Sequence, residues 1–493
     1  MSANANAAAA TWRRPVLLAF VCVAAGALAT TAGPLRDVDV FWHVRLGGEL
    51  LNGTSIYDVG RDWSYAPVDN AWVSTQWIVE VVFSWLNSLW GWNGLVAFRA
   101  ATTAATFATI AWVVFPRTAR PTQTNRMWAG LVTACLGIFT VILFAQERPQ
   151  QVSFILLPLV GLWWLQAVRD GKVPRWWMLL LLTAVWANCH GLWVMLPFAL
   201  GLAFVGRWLD GGRRDASLKP LAIAVVASLA GGCVSPVGPL NLLSPIRFAG
   251  TTSQISEWEP TSMVAISSLG LTVMLVLFAA AWARGRLRPK RSEVLFVIFM
   301  VIFGTAAGRN VTPAVLLLSA ALAWRLSTAW SGPNRRRPAE GLLGASGPVA
   351  VAVIVVGLTA TAMMVIRTVA IPPDSRPVGL VMRIAETQGS QRVLNGYDIS
   401  GLVLWYARPA VSRSVVQVGI DGRADRYGAT YIDQYLSMER GRPGWEETVQ
   451  ELRPTVALLP EKDALVPLLQ AHGWHTSDTE AEYVLLTPPE GAG

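Results

Sequence analysis

The chain alternates between long apolar runs and short polar loops. A helix needs about 20 residues to cross a bilayer, and many of the runs have close to that length. The pattern predicts an α-helical polytopic membrane protein with about eleven transmembrane helices. The runs lie at roughly 15–33, 94–115, 127–145, 152–168, 175–189, 191–208, 219–235, 263–283, 293–308, 312–328 and 347–369.

The polar loops are of two kinds, and one kind is basic. Cytoplasmic loops of membrane proteins carry an excess of lysine and arginine, and all six basic loops fall on one side of the predicted spans. We therefore predict a cell-membrane protein with a cytoplasmic N-terminus, whose first helix is an uncleaved signal-like segment. The basic loops are Arg13–Arg14, Arg117–Arg126, Arg169–Arg175, Arg213–Lys219, Arg284–Arg291 and Arg335–Arg337.

The opposite side of the membrane begins with a long loop, 34–93, that contains two acids and an imidazole close together. Asp37 and Asp39 would point the same way in an extended chain. If a helix begins at Asp39, that residue is a good N-cap, and His43 follows one turn later on the same face. The two alternatives are a functional acidic site and a capped helix with solvated charges.

The same loop contains an amphipathic segment at 72–90. Trp77, Val81 and Trp85 recur at helical spacing, while Glu80 lies largely on the opposite face. Such a segment predicts a helix that lies on the bilayer surface.

Further polar residues occur at span ends on this predicted external side. Ionisable groups at membrane depth are costly, so they indicate function. Alternatives stay open: Arg148 could pair with Glu147 or extend to headgroups, and His190 could bond a helix carbonyl. The candidates are Glu80, Arg148, Asn188, His190, Glu257 and Arg309.

The composition changes after residue 371, where short apolar runs alternate with helical patterns. This alternation predicts a small extracytoplasmic α/β domain over 371–493. The segment Asp421–Asp425 is typical of a turn held by its own side chains, although acceptor binding is an alternative. The predicted strands are 392–394, 415–420, 456–459 and 483–487, and the predicted helices are 400–407, 428–439, 444–452 and 463–472.

The composition of the chain limits the partners and cofactors that it is expected to bind. The chain is 53% hydrophobic and 14% charged, and its net charge of +9 is accounted for by cytoplasmic loops, so no nucleic-acid partner is indicated. The four cysteines lie in apolar segments without Cys-x-x-Cys spacing, which argues against a zinc site or a disulfide framework. No cofactor is required, and a divalent cation on Asp37, Asp39 and His43 is left open.

The whole pattern resembles the membrane glycosyltransferases of the GT-C fold, and more narrowly a bacterial GT-C-like family. The matching segments are Asp37-x-Asp39-x-x-Trp42-His43-x-x-x-Gly47, Asp62-Trp-Ser64-Tyr65, Trp72 to Trp77 with Glu80, Arg148-Pro149-Gln150, Trp186-Ala-Asn188-x-His190-Gly191, Glu257-Trp258, Arg309-Asn310 and Asp421-Gly-Arg423.

The resemblance implies a GT-C-like membrane domain over 1–370. It implies transfer of a sugar from a polyprenyl-phosphate carrier in the membrane to an envelope glycan, lipid or protein on the extracytoplasmic face. Asp37 or Asp39 would be the catalytic base, and Arg148 and Arg309 would bind the phosphate. The remaining candidates, His43, Glu80, Asn188, His190 and Glu257, would bind substrate.

Two other functions fit a polytopic protein: a transporter or lipid flippase, and an envelope assembly protein without catalysis. A transporter places its polar site near the bilayer midplane, often within inverted repeats. We find neither feature in the sequence. An enzyme would bring Asp37 or Asp39 into one outward-facing cavity with Arg148 or Arg309.

Overall fold

The computed structural model describes residues 18, 20–29, 33–68, 72–115, 123–243, 259–285, 288–329, 376–412 and 415–489. Glu257, the linker 330–346 and the predicted last span 347–369 lie outside the described residues. Contacts divide the chain into two compact units. The helical unit is Met1–Gly33, Val96–Leu242 and Glu257–Thr368; the loop–domain unit is Pro34–Leu95, Leu243–Ser256 and Val369–Gly493.

The apolar runs of the first two-thirds of the chain form helices, which confirms a mostly helical, multi-pass membrane protein. Within the described residues, six helical segments, built on α4, α5, α6, α8, α10 and α12, are long and apolar enough to cross a bilayer. The predicted total of about eleven is not confirmed. The helices are α1 Phe20–Ala29, α4 Trp92–Val114, α5 Gln123–Leu143, α6 Gln150–Asp170, α7 Trp176–Trp186, α8 Met195–Gly211, α9 Leu218–Gly232, α10 Leu269–Arg284, α11 Arg291–Ala306 and α12 Val311–Ala329.

Small residues let these helices approach closely. A Cβ on Gly161 of α6 would lie 2.2 Å from the carbonyl oxygen of Leu317 in α12. Gly231 of α9 faces the carbonyl of Leu180 in α7 at the same distance. Membrane helices pack in this way because lipid supplies no hydrophobic drive between them, so close van der Waals contact stabilises the bundle.

The C-terminal part of the loop–domain unit forms a five-stranded sheet, which confirms the predicted α/β character. The strand order is β2-β1-β3-β5-β4; β1 pairs parallel with β2 and β3, and β5 pairs antiparallel with β3 and β4. The elements are β1 Gln391–Asn395, β2 Val416–Val418, β3 Val456–Pro460, β4 His475–Glu480, β5 Tyr483–Thr487, and helices α13 Val378–Glu386, α14 Ser400–Tyr406, α15 Ala424–Glu439, α16 Trp445–Leu452 and α17 Leu465–Ala471.

Four of these strands and four of the helices coincide with sequence predictions, whereas β4 and α13 were not predicted. Strand β4, His475–Glu480, is mostly exposed and has no apolar alternation. Its backbone pairing with β5 stabilises this strand, because its own side chains bury little surface.

The first polar loop belongs to this unit and contributes two helices, α2 (Val40–Leu51) and α3 (Trp77–Trp90). Ser64 forms an isolated parallel bridge with Val418 of β2, and the N–H of Tyr65 donates to the Val418 carbonyl at 3.2 Å. Tyr65 and Ala66 then pack against the core of the C-terminal domain. The loop is therefore anchored at the edge of the sheet.

Helix α3, Trp77–Trp90, begins later than the predicted segment 72–90 and ends with it, and its polar face is buried in the protein, unlike that of a simple surface helix. Glu80, on the predicted polar face, is fully buried, while Trp85 and Leu89 are about half exposed. The cause is a partner for Glu80 on α2, which turns the polar face inward and leaves the apolar face outward.

Candidate active site

The acidic pair lies at the start of helix α2. The helix begins directly after Asp39, and the backbone N–H of His43 donates to the Asp39 carbonyl at 3.2 Å. The Asp39 side chain does not cap the helix, so this part of the prediction is wrong. Asp39 has helical dihedrals (φ −71°, ψ −21°) rather than the extended ones of a capping residue.

The Asp39 carboxylate binds an indole. Its Oδ1 accepts a hydrogen bond from Nε1 of Trp42 at 3.1 Å. Asp37, 2% exposed, accepts the backbone N–H of Asp39 at 3.2 Å. Asp37 therefore shapes the turn before α2, whereas Asp39 is half-buried and oriented by Trp42.

A buried chain of hydrogen bonds follows on α2 and α3. Nδ1 of His43 lies 2.9 Å from Oε1 of Glu80, and the Ser74 hydroxyl donates to Oε2 of Glu80 at 2.6 Å. The Trp42 ring lies against the imidazole, with 3.6 Å between centroids. Both oxygens of Glu80 are thus engaged, one by Nδ1 of His43 and one by Ser74, and Nε2 is the ring nitrogen of His43 that Glu80 does not contact.

The His43–Glu80 pair forms because α2 and α3 come very close. A Cβ on Gly47 would lie 1.9 Å from the backbone oxygen of Glu80. Only glycine leaves room for this approach. Gly47 is thus the residue that allows the two helices to share a buried polar pair.

The C-terminal domain contributes the turn Asp421–Arg423 beside the acidic pair. Asp421 accepts the backbone N–H of Arg423 at 3.0 Å, the Arg423 guanidinium at 2.8 and 2.7 Å, and the Tyr427 hydroxyl at 2.7 Å. Burial would raise the pKa of Asp421, but the Arg423 charge and these hydrogen bonds outweigh it and lower the pKa. The turn is held by its own side chains, as its sequence indicates.

This turn also contacts the first loop. Nη1 of Arg423 donates to the Gly60 carbonyl at 2.7 Å. A Cβ on Gly422 would lie 2.5 Å from Oδ1 of Asp39 and 2.6 Å from Nε1 of Trp42. The backbone of the turn therefore packs directly on the hydrogen bond that orients Asp39.

Sequence reasoning missed a second set of contacts around Trp63. The guanidiniums of Arg45 and Arg423 each lie 4.7 Å from the Trp63 ring centroid. Glu49 accepts from both Trp63 Nε1 and Arg45 Nε at 2.9 Å. The i,i+4 spacing of Arg45 and Glu49 on α2 was the available signal for a helix-surface pair.

In the helical unit, Glu147 forms a buried ion pair with Arg99. Nη2 of Arg99 also donates to the Gly33 carbonyl at 2.9 Å. Arg99 was not singled out, although an arginine within an apolar span was the signal. The neighbouring Arg148 is half-buried just before α6.

His190 and Asn188 occupy the tight connection after α7. Nδ1 of His190 accepts from the backbone N–H of Leu192 at 3.2 Å and lies 3.0 Å from the Ser153 hydroxyl, which in turn accepts from Trp186 Nε1 at 2.8 Å. Nδ1 is therefore an acceptor, and the ring proton is on Nε2. The Asn188 amide donates to two backbone carbonyls, at 2.8 and 2.6 Å.

Arg309 lies on a single 3-10 turn, Gly308–Asn310, between α11 and α12, and is half-buried. The N–H of Gly308 donates to the Glu259 carbonyl at 3.1 Å, so this turn is hydrogen-bonded to the loop that precedes α10. The acidic pair lies in one unit and Arg148 and Arg309 in the other. Their convergence on one cavity stays a prediction.

Among the residues that the structure describes, no group of three or more histidine, cysteine, aspartate or glutamate side chains is arranged to hold a metal ion. The coordination that the sequence left open, on Asp37, Asp39 and His43, is not formed by the described side chains. His43 Nδ1 is instead engaged with Glu80.

Comparison with solved structures shows that the fold of this chain is similar to that of ArnT, a GT-C glycosyltransferase. ArnT from Cupriavidus metallidurans in the apo state matches 97% of this chain and 98% of its own, with a TM-score of 0.50 and 12% sequence identity. A structure of the same ArnT bound to undecaprenyl phosphate covers 98% of this chain and 99% of its own at 11% identity, with a TM-score of 0.23. No protein-family model and no curated protein matches the sequence.

Proposed function

We propose that this protein is a membrane glycosyltransferase that moves a sugar from a polyprenyl-phosphate carrier to an envelope glycan, lipid or protein acceptor on the extracytoplasmic face. A fold by itself does not define a reaction. The observation that supports the proposal most directly is the half-buried Asp39 carboxylate, oriented by Trp42 next to the buried Asp37.

The proposed reaction is an inverting displacement. A carboxylate accepts the proton of the acceptor hydroxyl, and the acceptor oxygen attacks the anomeric carbon of the donor sugar. The bond between that carbon and the phosphate oxygen breaks, and its electron pair leaves with the polyprenyl phosphate. Asp39, with Asp37 as the alternative, is the proposed base.

The departing phosphate gains negative charge and needs a cationic partner. Arginine suits this role because its guanidinium forms two parallel hydrogen bonds with phosphate oxygens. Arg148 and Arg309 are the proposed ligands. Each lies beside a tight turn at the end of a long apolar helix, where a lipid-linked phosphate at the membrane surface could reach it.

The hydrogen bonds of the substrate-binding candidates indicate which of them would contact substrate and which would position a neighbour. Both oxygens of Glu80 are occupied, so we assign Glu80 to orienting His43, which would meet the substrate through Nε2. His190 would likewise act through its Nε2–H. The Asn188 amide N–H groups bind carbonyls and hold the connection around His190.

The test is a transfer assay with purified full-length protein in lipid nanodiscs. A panel of polyprenyl-phosphate carriers, each with a radiolabelled sugar, is mixed with envelope fractions that lack the protein. We expect one carrier to lose its label to the envelope fraction and to release polyprenyl phosphate. If folded protein transfers label from no carrier, yet moves such lipids across proteoliposome membranes, the protein is a flippase and the proposal is wrong.

A further inference from the structure

We propose that the C-terminal α/β domain contributes to the transferase site. Its turn Asp421–Arg423 positions the Asp39 carboxylate through Gly422. The inference rests on the proposed function, in which Asp39 accepts the acceptor proton. Gly422 is then a positioning residue that acts on Asp39 and Trp42 without touching the substrate.

Position 422 has no space for a side chain. Any side chain at 422 would place a carbon 2.5 Å from Oδ1 of Asp39 and 2.6 Å from Nε1 of Trp42. Gly422 is not among the glycines with positive φ, so the requirement here is for space and not for an unusual backbone conformation. The backbone of the turn therefore packs directly against the hydrogen bond between Asp39 and Trp42.

The turn that contains Gly422 is held rigidly. Asp421 and Arg423 are buried, and Asp421 accepts hydrogen bonds from the Arg423 backbone, the Arg423 guanidinium and the Tyr427 hydroxyl. A buried, fully hydrogen-bonded ion pair has one well-defined geometry. Gly422, between its two members, cannot move without breaking it.

The first loop and the domain are also joined on several sides of this contact. Arg423 donates to the Gly60 carbonyl, and Ser64 extends the sheet at Val418. Nε1 of Trp72 donates to the Asp425 carboxylate at 2.8 Å. The loop that contains Asp39 is therefore fastened to the domain both before and after the turn.

The chemical consequence concerns the orientation of the Asp39 carboxylate. Nε1 of Trp42 donates to Oδ1 of Asp39 at 3.1 Å. A displaced Trp42 would weaken this bond, and the carboxylate would no longer be held in one orientation towards the acceptor hydroxyl.

The test compares Gly422→Ala with Gly201→Ala, a helical glycine with no atom within 4 Å of an added Cβ. A displacement of about 1 Å in a catalytic group can cost about a hundredfold in rate. We expect Gly422→Ala to lower kcat by about tenfold to a hundredfold, with KM for the carrier unchanged. Gly201→Ala should match the wild type.

Two further measurements separate positioning from a general folding defect. Trp42→Phe removes the same hydrogen bond, so its effect on kcat should be non-additive with that of Gly422→Ala. Hydrogen exchange in peptides covering residues 37–43 should accelerate in Gly422→Ala and not in Gly201→Ala.

Each outcome decides the inference. Wild-type activity and exchange in Gly422→Ala would overturn it, as would a loss of rate that is additive with that of Trp42→Phe and accompanied by a lower unfolding temperature. If the wild type transfers no sugar, the proposed function fails, and the exchange measurement still shows whether the turn holds the Asp39 segment.

Discussion

Asp37 and Asp39 are two residues apart, yet the fold gives their carboxylates different surroundings. Asp37 is 2% exposed and accepts a backbone N–H, while Asp39 is half-buried and receives the indole N–H of Trp42. A general base must be within hydrogen-bond reach of the proton that it removes. At the scale of single residues, this favours Asp39 as the base and Asp37 as the group that shapes the turn.

The prediction is that Asp39→Asn loses turnover by about a hundred- to ten-thousand-fold, while the protein still inserts and binds its carrier lipid. Asp37→Asn should lose less, because an amide oxygen can still accept the Asp39 N–H. Arg148→Ala should weaken carrier binding as well as rate. Sugar transfer and carrier binding are measured in nanodiscs, and near-normal transfer by both Asn variants would reject a catalytic role for this loop.

A second residue-scale feature lies in the C-terminal domain, where Glu439 faces Asp398 and Asp463. Burial first, and then these two carboxylates, raise the pKa of Glu439 from 4.5 to about 7. The folded protein therefore binds a proton that the unfolded chain has lost between these pH values. Stability falls as pH rises from 4.5 to 7, because the ionised form is disfavoured only in the folded state.

Glu439→Gln removes this charge and should raise the unfolding temperature at pH 8, with little change near pH 5. Tryptophan fluorescence of the full-length protein in detergent measures the midpoint at each pH. The control is Glu482→Gln, because the Glu482 side chain is 84% exposed and its substitution should have no pH-dependent effect. An equal shift at both pH values would contradict the titration of Glu439.

At the scale of elements, helices α2 and α3 form the platform of the acidic site. Their backbones meet at Gly47, whose missing Cβ makes room for the Glu80 carbonyl. This approach buries His43 against Glu80. A hydrogen-bonded pair at that depth is favourable only if both partners stay together, because a lone buried charge is strongly disfavoured.

Gly47→Ala should push α2 and α3 apart and destabilise the protein by about 1–3 kcal/mol, the usual cost of overpacking. Gly48→Ala, one residue away on the same helix, is the matched control, because its added Cβ meets only the flexible Ser84 hydroxyl at 3.3 Å. Thermal unfolding measures both variants. Equal midpoints for the two would show that the close approach at Gly47 is not required.

At the scale of the whole molecule, the six basic loops predict which side of the membrane each segment faces. Asp37, Arg148, Glu257 and the C-terminal domain should all be external. The four cysteines are unpaired, so a background in which they are replaced by alanine or serine permits single-cysteine labelling. Thr430 is exposed on α15 and offers a suitable external probe.

We expect Thr430→Cys to react with a membrane-impermeant maleimide in intact cells. Arg213→Cys, in a predicted cytoplasmic loop, should react only after lysis and serves as the control. The modified fraction of each variant is read by gel shift. Reaction of Thr430→Cys only after lysis would reverse the proposed topology and place the acidic pair inside the cell.

The sequence by itself determined the elements whose signal is local. Apolar runs such as 94–115 and 152–168 became helices α4 and α6 within a few residues, because a bilayer requires a continuous apolar surface. The short apolar runs of the C-terminal region became β1, β2, β3 and β5, because buried strands need such side chains. Strand β4 has no such surface, and its pairing with β5 defined it.

Only the tertiary structure decided what surrounds the chemical groups. Glu80 has the sequence pattern of polar surface but is buried against His43, 37 residues away, and Glu147 forms a buried ion pair with Arg99, 48 residues away. Gly422 is 383 residues after Asp39 (422 − 39), yet its missing Cβ makes room for that carboxylate. Spacing along a chain encodes neighbours on one helix or strand, whereas these contacts depend on how separate elements pack.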